Sequence, residues 1–141
     1  MKYKYFTVSE VFDTQGRHTK RPIVEVELVN QKMGEKDYPA FALIDSGADT
    51  TMMNIAYAQL LGVKTVPHRS GVVGISGAPS ACYFGHVSFK IKDLDGKVDL
   101  PVLFIDSPNV DVLLGQEKFF DIFKIKFEKD HDTFEITPVK K

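Results

Sequence analysis

The sequence predicts a mainly β protein that folds as a small, closed or nearly closed β-barrel with one or two short helices. Strand patterns dominate the 141 residues, and each of two apolar strands is followed by a turn and a short helical segment. No internal repeat, linker or low-complexity segment interrupts this pattern. We therefore expect a single domain over residues 1–141, with 1–21 as an N-terminal extension or hairpin and 22–138 as the core.

Composition narrows the class of protein. Apolar residues make up 43% of the chain and the net charge is −1 with acids and bases interspersed, so there is no basic stripe for nucleic acid. No apolar segment approaches the length of a membrane span, and the polar N-terminus has no signal core. Cys82 is the only cysteine, which excludes a disulfide within the chain and fits a reducing compartment. We expect a cytoplasmic protein that binds neither nucleic acid nor membranes.

The N-terminal half predicts three strands and a helix. Residues 3–12 form the first strand and 13–16 a turn, and residues 23–29 form the second strand. The apolar run Tyr38–Ile44 predicts a third strand that is buried on both faces. Asn54 as N-cap and Gly62 as C-cap then predict a short helix between them.

The C-terminal half predicts two hairpins, two strands and a second helix. Residues 64–92 form a hairpin with a glycine-rich tip at 71–79, and Gly85 marks a bulge in its return strand. The turn sequence at 93–96 leads into the next strand. The remaining predicted elements are strands at 98–105 and 110–114, a helix at 116–123 and a hairpin at 125–136.

The strand Tyr38–Ile44 ends in a carboxylate, a hydroxyl and a glycine: Asp45, Ser46 and Gly47. A buried carboxylate is costly unless it is hydrogen-bonded or paired. Gly47 lets the backbone turn tightly and presents its N–H to that carboxylate, and Ala48 is small enough to leave room beside it. The arrangement suits a carboxylate held on a rigid loop and aimed into a cleft, although Asp-Ser-Gly is also an ordinary turn sequence.

Three motifs in this order resemble those of retropepsin-type aspartic proteases: LIDSGADT at 43–50, VGISG at 73–77 and VLLG at 112–115. The resemblance covers most of residues 22–138. The segment that follows Gly115 is similar to the cellular and bacterial branch of the family rather than to the viral one. The fold that the resemblance implies is the retropepsin type of closed β-barrel, with one catalytic loop in each subunit.

The resemblance also implies roles for individual residues. Asp45 would be the catalytic aspartate, supported by Ser46, Gly47 and Gly115. The substrate-binding residues would be Gly47, Ala48, Asp49, Gly74, Ile75, Ser76 and Gly77, the last four in a flap at about 71–79. Viral members carry an arginine directly after the glycine that matches Gly115, and this arginine pairs with the acid that matches Asp49. This sequence has Gln116 at the position of the arginine. Asp49 has an alternative role as a turn or N-cap residue.

Peptide hydrolysis by carboxylates needs two of them close together, sharing one proton, and needs no metal or other cofactor. The chain contains one Asp-(Ser/Thr)-Gly motif. Asp106 and Ser107 do not form a second one, because Pro108 rather than glycine follows them. The second carboxylate must come from another copy of the chain, so a homodimer with Asp45 of each subunit at the two-fold axis is expected. This predicts an aspartic endopeptidase that hydrolyses peptide bonds through an activated water.

Other functions remain open at this point. One is a retropepsin-like dimerisation or peptide-binding module with weak or no turnover, and another is a plain β-barrel interaction domain. A phosphate-binding loop at 71–77 is disfavoured because such a loop should open a helix. A Ser–His–Asp hydrolase lacks a nucleophile elbow, and a metal site lacks a recognisable ligand motif.

Overall fold

The computed structural model describes residues 1–68, 72–73 and 79–140. That part of the chain contains fourteen strands, two α-helices and a 3-10 turn at Lys129–His131. The strands are β1 Lys2–Lys4, β2 Phe6–Phe12, β3 His18–Arg21, β4 Ile23–Leu28, β5 Tyr38–Ile44, β6 Thr51–Asn54, β7 Val66–Pro67, β8 Val72–Val73, β9 Pro79–Ser80, β10 Cys82–Ile91, β11 Val98–Ile105, β12 Val112–Leu114, β13 Phe123–Glu128 and β14 Thr133–Pro138. The helices are α1 Ile55–Leu61 and α2 Phe119–Ile122.

Six of these strands close into a barrel. They follow the order β11-β6-β12-β5-β4-β10, and β10 pairs back onto β11. The β5–β12 and β6–β11 pairs are parallel, and the other pairs in the ring are antiparallel. Because closure removes free sheet edges, a small barrel is a stable arrangement for short strands. The predicted mainly β, closed barrel with two short helices is confirmed.

The barrel interior is the hydrophobic core. Its largest fully buried side chains are Phe89, Phe104, Phe119, Phe134, Leu28, Met53, Leu61, Leu100, Leu114 and Ile136. Phe119 comes from α2, and Phe134 and Ile136 come from β14, so the C-terminal helix and hairpin share this core with the barrel strands. Outside the ring, β1 and β13 both pair with β14, and β2 pairs with β3.

Strand β5 has the predicted bounds but not the predicted burial. Ala40, Ala42 and Ile44 point into the core, whereas Phe41 is 52% exposed on the other face. The expectation of burial on both faces was wrong because each strand of a barrel has one inner and one outer face. On the outer face, the ring of Phe41 lies against the ring of Phe6 in the N-terminal hairpin, at a centroid distance of 5.5 Å.

The chain between Asp45 and α1 contains a strand that the sequence analysis did not predict. Strand β6 lies between β11 and β12 and places Met53 in the core. The predicted helix follows it, and both predicted caps are confirmed. The side chain of Asn54 accepts from the Ala56 N–H at 3.0 Å, and Gly62 adopts the left-handed conformation at a φ of 68°.

Two further predictions were wrong in their local geometry. The strand predicted at 3–12 is interrupted at Tyr5, whose N–H donates to the carbonyl of Asp132, so β1 and β2 join different sheets. Gly85 is not a bulge, because β10 and β11 pair without a register shift. A Cβ at Gly85 would lie 2.9 Å from Val63 Cγ1, so the glycine serves close packing.

The elements on both sides of Gly115 are shorter than predicted. The strand predicted at 110–114 covers Val112–Leu114, and the helix predicted at 116–123 is reduced to α2. The helix cannot start earlier because Lys118 has a φ of +64°, which is not a helical conformation. The Lys118 N–H donates to Asp121 Oδ2 at 3.2 Å. The final hairpin, formed by β13 and β14, is confirmed.

Tyr3 attaches β1 to the barrel. Its hydroxyl donates to the carbonyl of Lys92 at 2.6 Å, and its ring stacks on Phe134 at a centroid distance of 5.4 Å. Burial, and then the negative charge of Asp93, raise the pKa of Tyr3 to about 12. The folded state therefore holds this proton more tightly than the unfolded chain does.

This raised pKa predicts a contribution of Tyr3 to stability that is complete below pH 10 or so and is lost as the pH rises through about 12. We expect Tyr3→Phe to cost about 1 kcal/mol at neutral pH and to make the decline of stability in alkali less steep. Urea unfolding in a pH series from neutral to about pH 12 measures both effects. Tyr38→Phe is the control, because the Tyr38 ring is exposed. Parallel pH curves for wild type and Tyr3→Phe would contradict the prediction.

Candidate active site

Asp45 follows β5 directly and is hydrogen-bonded to β12, while the residue before it is hydrogen-bonded to the chain just before β4. Its N–H donates to the carbonyl of Leu114 at 2.9 Å, and the N–H of Ile44 donates to the carbonyl of Pro22 at 3.0 Å. The ladder therefore continues past the end of β5, and strand alternation places the Asp45 side chain on the outer side with Leu43. Asp45 is partly exposed. Its carboxylate is thus fixed in position and accessible from outside the barrel.

The turn after Asp45 folds back onto the carboxylate. The Gly47 N–H donates to Asp45 Oδ1 at 2.9 Å, and the Ala48 N–H donates to the Asp45 carbonyl at 3.2 Å. A Cβ on Gly47 would lie 3.3 Å from Oδ1, so the absence of a side chain leaves this approach open. Ser46 and Gly47 are exposed, whereas Ala48 is 7% exposed and packs beneath the turn.

Gly115 lies against the underside of the same loop. A Cβ at this position would lie 2.5 Å from the carbonyl oxygen of Thr50 and 2.8 Å from that of Ala48. Its N–H donates to Thr51 Oγ1 at 3.2 Å, which satisfies the hydroxyl of a fully buried threonine. The chain after β12 can therefore cross under the Asp45 loop only with glycine here.

Gln116 adds two hydrogen bonds to the loop. Its N–H donates to the carbonyl of Ala48 at 2.8 Å, and its side-chain Nε2 donates to the carbonyl of Ser46 at 2.7 Å. In the sequence, Gln116 is only a departure from an arginine that pairs with an acid in viral members of the family. The structure gives its side chain a different partner, the backbone of the Asp-Ser-Gly turn.

Asp49 is exposed and lies at the far end of the loop. Its carbonyl accepts from the Glu117 N–H at 2.8 Å, and Glu117 Oε1 accepts from Thr50 Oγ1 at 3.2 Å. The N-cap of α1 is Asn54, so Asp49 does not cap that helix. The segment after Gly115 is therefore hydrogen-bonded to the loop, while the Asp49 side chain is exposed.

An apolar row runs across the outer face beside Asp45. We call this row the outer strip. The strip crosses the strands from β4 to β11, and each of its residues is paired with the next one on the neighbouring strand. All of its residues are partly exposed. Its residues are Ile23, Leu43, Leu113, Met52 and Leu103. The strip cannot be recognised in the sequence because the register between distant strands determines it.

The structure brings together Asp45, Ser46, Gly47, Ala48 and Asp49, with Gly115 directly beneath them. The predicted flap residues Gly74, Ile75, Ser76 and Gly77 lie outside the described residues. The chain on either side of them pairs as a hairpin, with Val72 opposite Ser80 and Val73 opposite Pro79.

A sequence profile described as aspartyl protease matches residues 29–117, more than half of the chain. The chain belongs to the aspartyl protease family. The matched segment contains the Asp45 loop, the apolar strand β12, Gly115 and Gln116. No curated protein matches the sequence at a significant level.

Solved structures place this aspartyl protease chain among the retropepsin folds. The protease of EIAV, in complex with the inhibitor HBY-793, is 25% identical with a TM-score of 0.55, and the match covers 72% of this chain and 88% of that one. The retroviral protease-like domain of Ddi1 from Leishmania major is 17% identical, with a TM-score of 0.54 and coverages of 84% and 90%. A retropepsin-like aspartic protease from Rickettsia conorii is 13% identical, with a TM-score of 0.55 and coverages of 96% and 89%.

The resemblance to retropepsins that the three motifs indicated is therefore confirmed for the family and for the fold. In the described part of this aspartyl protease chain, no helix combines the length and apolarity needed to cross a bilayer.

Proposed function

We propose that this protein is an aspartic endopeptidase and acts as a homodimer, with one Asp45 from each subunit forming the catalytic pair. The observation that carries the proposal is the setting of Asp45. It lies at the end of a rigid strand, faces outward and accepts a hydrogen bond from Gly47, in a chain of the aspartyl protease family. A strand end in a barrel is a rigid base for a catalytic group.

The chemistry requires one ionised and one protonated carboxylate. The ionised Asp45 takes a proton from a water molecule as its oxygen attacks the peptide carbonyl carbon, and the protonated Asp45 of the other subunit gives its proton to the carbonyl oxygen. In the resulting gem-diol, the Asp45 that took the water proton gives it to the amide nitrogen, and the Asp45 of the other subunit takes a proton back from a hydroxyl of the gem-diol as the C–N bond breaks. The pair of carboxylates thereby returns to its starting state. One water is consumed, and the products are a carboxylic acid and an amine.

The need for a second copy follows from the count of suitable carboxylates. The chain has one Asp-(Ser/Thr)-Gly, and Ser46, Gly47 and Asp49 are exposed around it. Two identical loops that meet across a two-fold axis would bring two carboxylates together without any further motif. In that arrangement the Ser46 hydroxyl is proposed to brace the paired loops.

The outer strip supports a peptide substrate with apolar side chains next to the cleaved bond. Leu43 and Leu113 lie side by side in the strip, and Leu43 is two residues from Asp45 on the same face. Gly47, Ala48 and Asp49 are proposed to contact the substrate backbone. Residues 71–79, with Gly74, Ile75, Ser76 and Gly77 at the tip, are proposed to close over it as a flap.

This proposal predicts that activity depends on protein concentration and on one shared proton. Specific activity on a casein-like substrate should fall on dilution below the dimer dissociation constant, because a monomer has half a site. The pH profile of kcat/KM should be bell-shaped with an acidic optimum, and a pepstatin-type inhibitor should block cleavage. Dilution into inert carrier protein controls for surface losses. A protein that sediments as a monomer with undiminished specific activity would contradict the two-subunit site.

The same experiment separates the second candidate function, a retropepsin-like dimerisation or peptide-binding module with weak or no turnover. A dimer that binds the labelled inhibitor but leaves the substrate uncut across the pH range would favour the module. The partly exposed outer strip and the half-site of each subunit suit peptide binding in either case.

A further inference from the structure

The peptide group between Ser46 and Gly47 is hydrogen-bonded at both ends. Its carbonyl oxygen accepts from Gln116 Nε2 at 2.7 Å, and its N–H donates to Asp45 Oδ1 at 2.9 Å. A peptide group is planar, so a contact that fixes the direction of its C=O also fixes the direction of its N–H. Gln116 is therefore linked to the Asp45 carboxylate through a single rigid unit.

We propose that Gln116 is a positioning residue, which acts on Asp45 through the Ser46–Gly47 peptide group. This inference rests on the proposed function of Asp45. The amide donor holds the carbonyl in place and polarises the peptide group, which makes the Gly47 N–H a stronger donor to the carboxylate. A side chain distant in sequence thereby orients the carboxylate without touching it.

The backbone prepares Gln116 for this role. Its own N–H is tied to the carbonyl of Ala48, and the preceding Gly115 is confined against Thr50. The side chain thus starts from a fixed point on the same loop that it supports. An amide keeps its donor at every pH of interest, whereas a carboxyl group at this position donates only when it is protonated.

Two variants test the need for a donor. In Gln116→Met the donor is absent, so kcat should fall about three- to tenfold at every pH, with KM within twofold of wild type. In Gln116→Glu the ionised side chain cannot donate and repels the Ser46 carbonyl. Its deficit should be largest above pH 5 or so and should shrink as the pH falls below the usual glutamate pKa, near 4.3.

Gln59→Met and Gln59→Glu are the matched controls, because Gln59 is an exposed glutamine on α1. Both should retain wild-type kcat and an unchanged pH profile. A merely structural role of Gln116 would lower activity equally in both Gln116 variants and would not give the glutamate variant its own pH dependence.

Amide hydrogen exchange at Gly47 gives a readout that does not depend on catalysis. We expect this amide to exchange about three- to tenfold faster in Gln116→Met than in wild type, and at the wild-type rate in Gln59→Met. Unchanged exchange at Gly47, or a Gln116→Glu profile that superimposes on that of Gln116→Met, would overturn the proposal. An inactive wild-type protein would overturn the proposed function instead, while the exchange rates would still decide whether Gln116 holds the peptide group.

Discussion

Replacing Asp45 with asparagine is expected to abolish proteolysis, with kcat/KM falling on the order of 10⁴-fold, while the protein stays folded. Asparagine matches the shape of aspartate, and its side-chain oxygen can still accept from the Gly47 N–H. It can neither take a proton from water nor share one with a second carboxylate. Stability should hold or rise slightly, because two close carboxylates in the proposed dimer repel each other.

Asp106→Asn is the matched control for Asp45→Asn. Asp106 is also followed by serine, and it is exposed at the end of β11. We expect it to keep full activity in the same peptide-cleavage assay. Wild-type protein mixed with an excess of Asp45→Asn should lose activity as inactive heterodimers form. Purified Asp45→Asn with activity within tenfold of wild type would remove Asp45 from the mechanism.

The second large effect is expected at Gly115. In Gly115→Ala the added carbon would lie 2.5 Å from the Thr50 carbonyl oxygen, 2.6 Å from its carbon and 2.8 Å from the Ala48 oxygen. All three are backbone atoms of the Asp45 loop, so no side-chain rotation relieves the overlap. We expect a loss of at least about 3 kcal/mol in the free energy of unfolding, or about 10 °C in Tm.

Gly34→Ala separates this overlap from the general effect of replacing a glycine. Gly34 has a φ of +80° and no atom within 4 Å of an added Cβ, so alanine there should cost only about 1 kcal/mol through backbone strain. Urea unfolding of both variants with wild type gives the comparison. Equal losses in the two variants would contradict the role of Gly115 in the close crossing.

The sequence predicted the elements whose signals are local. The bounds of β5 and the caps of α1 follow from residues within a few positions of one another, and the structure has them as predicted. Strand β6 was missed because four residues directly before a helix carry too little periodicity to be read as a strand. The burial of Phe41 was misjudged because an apolar side chain does not say which face of a barrel it occupies.

The same division applies to the candidate site. The conformation of the Asp45–Ala48 turn follows from the short motif itself, since Gly47 and Ala48 donate to Asp45. The hydrogen bond from the Gln116 side chain to the Ser46 carbonyl joins residues 70 positions apart. The outer strip spans five strands. Such contacts depend on the order and register of the strands, which local patterns do not specify.

The order of strands in the barrel has a consequence for the protein during synthesis. Strands β5 and β6 are consecutive in sequence, yet β12 lies between them and pairs with both. The loop that carries Asp45 therefore bridges a gap that remains empty until a late part of the chain has been made. Contacts of such long range form slowly. In a nascent chain that ends before β12, the Asp45 loop lacks the strand that packs between β5 and β6, so the loop reaches its final position only after β12 has been added.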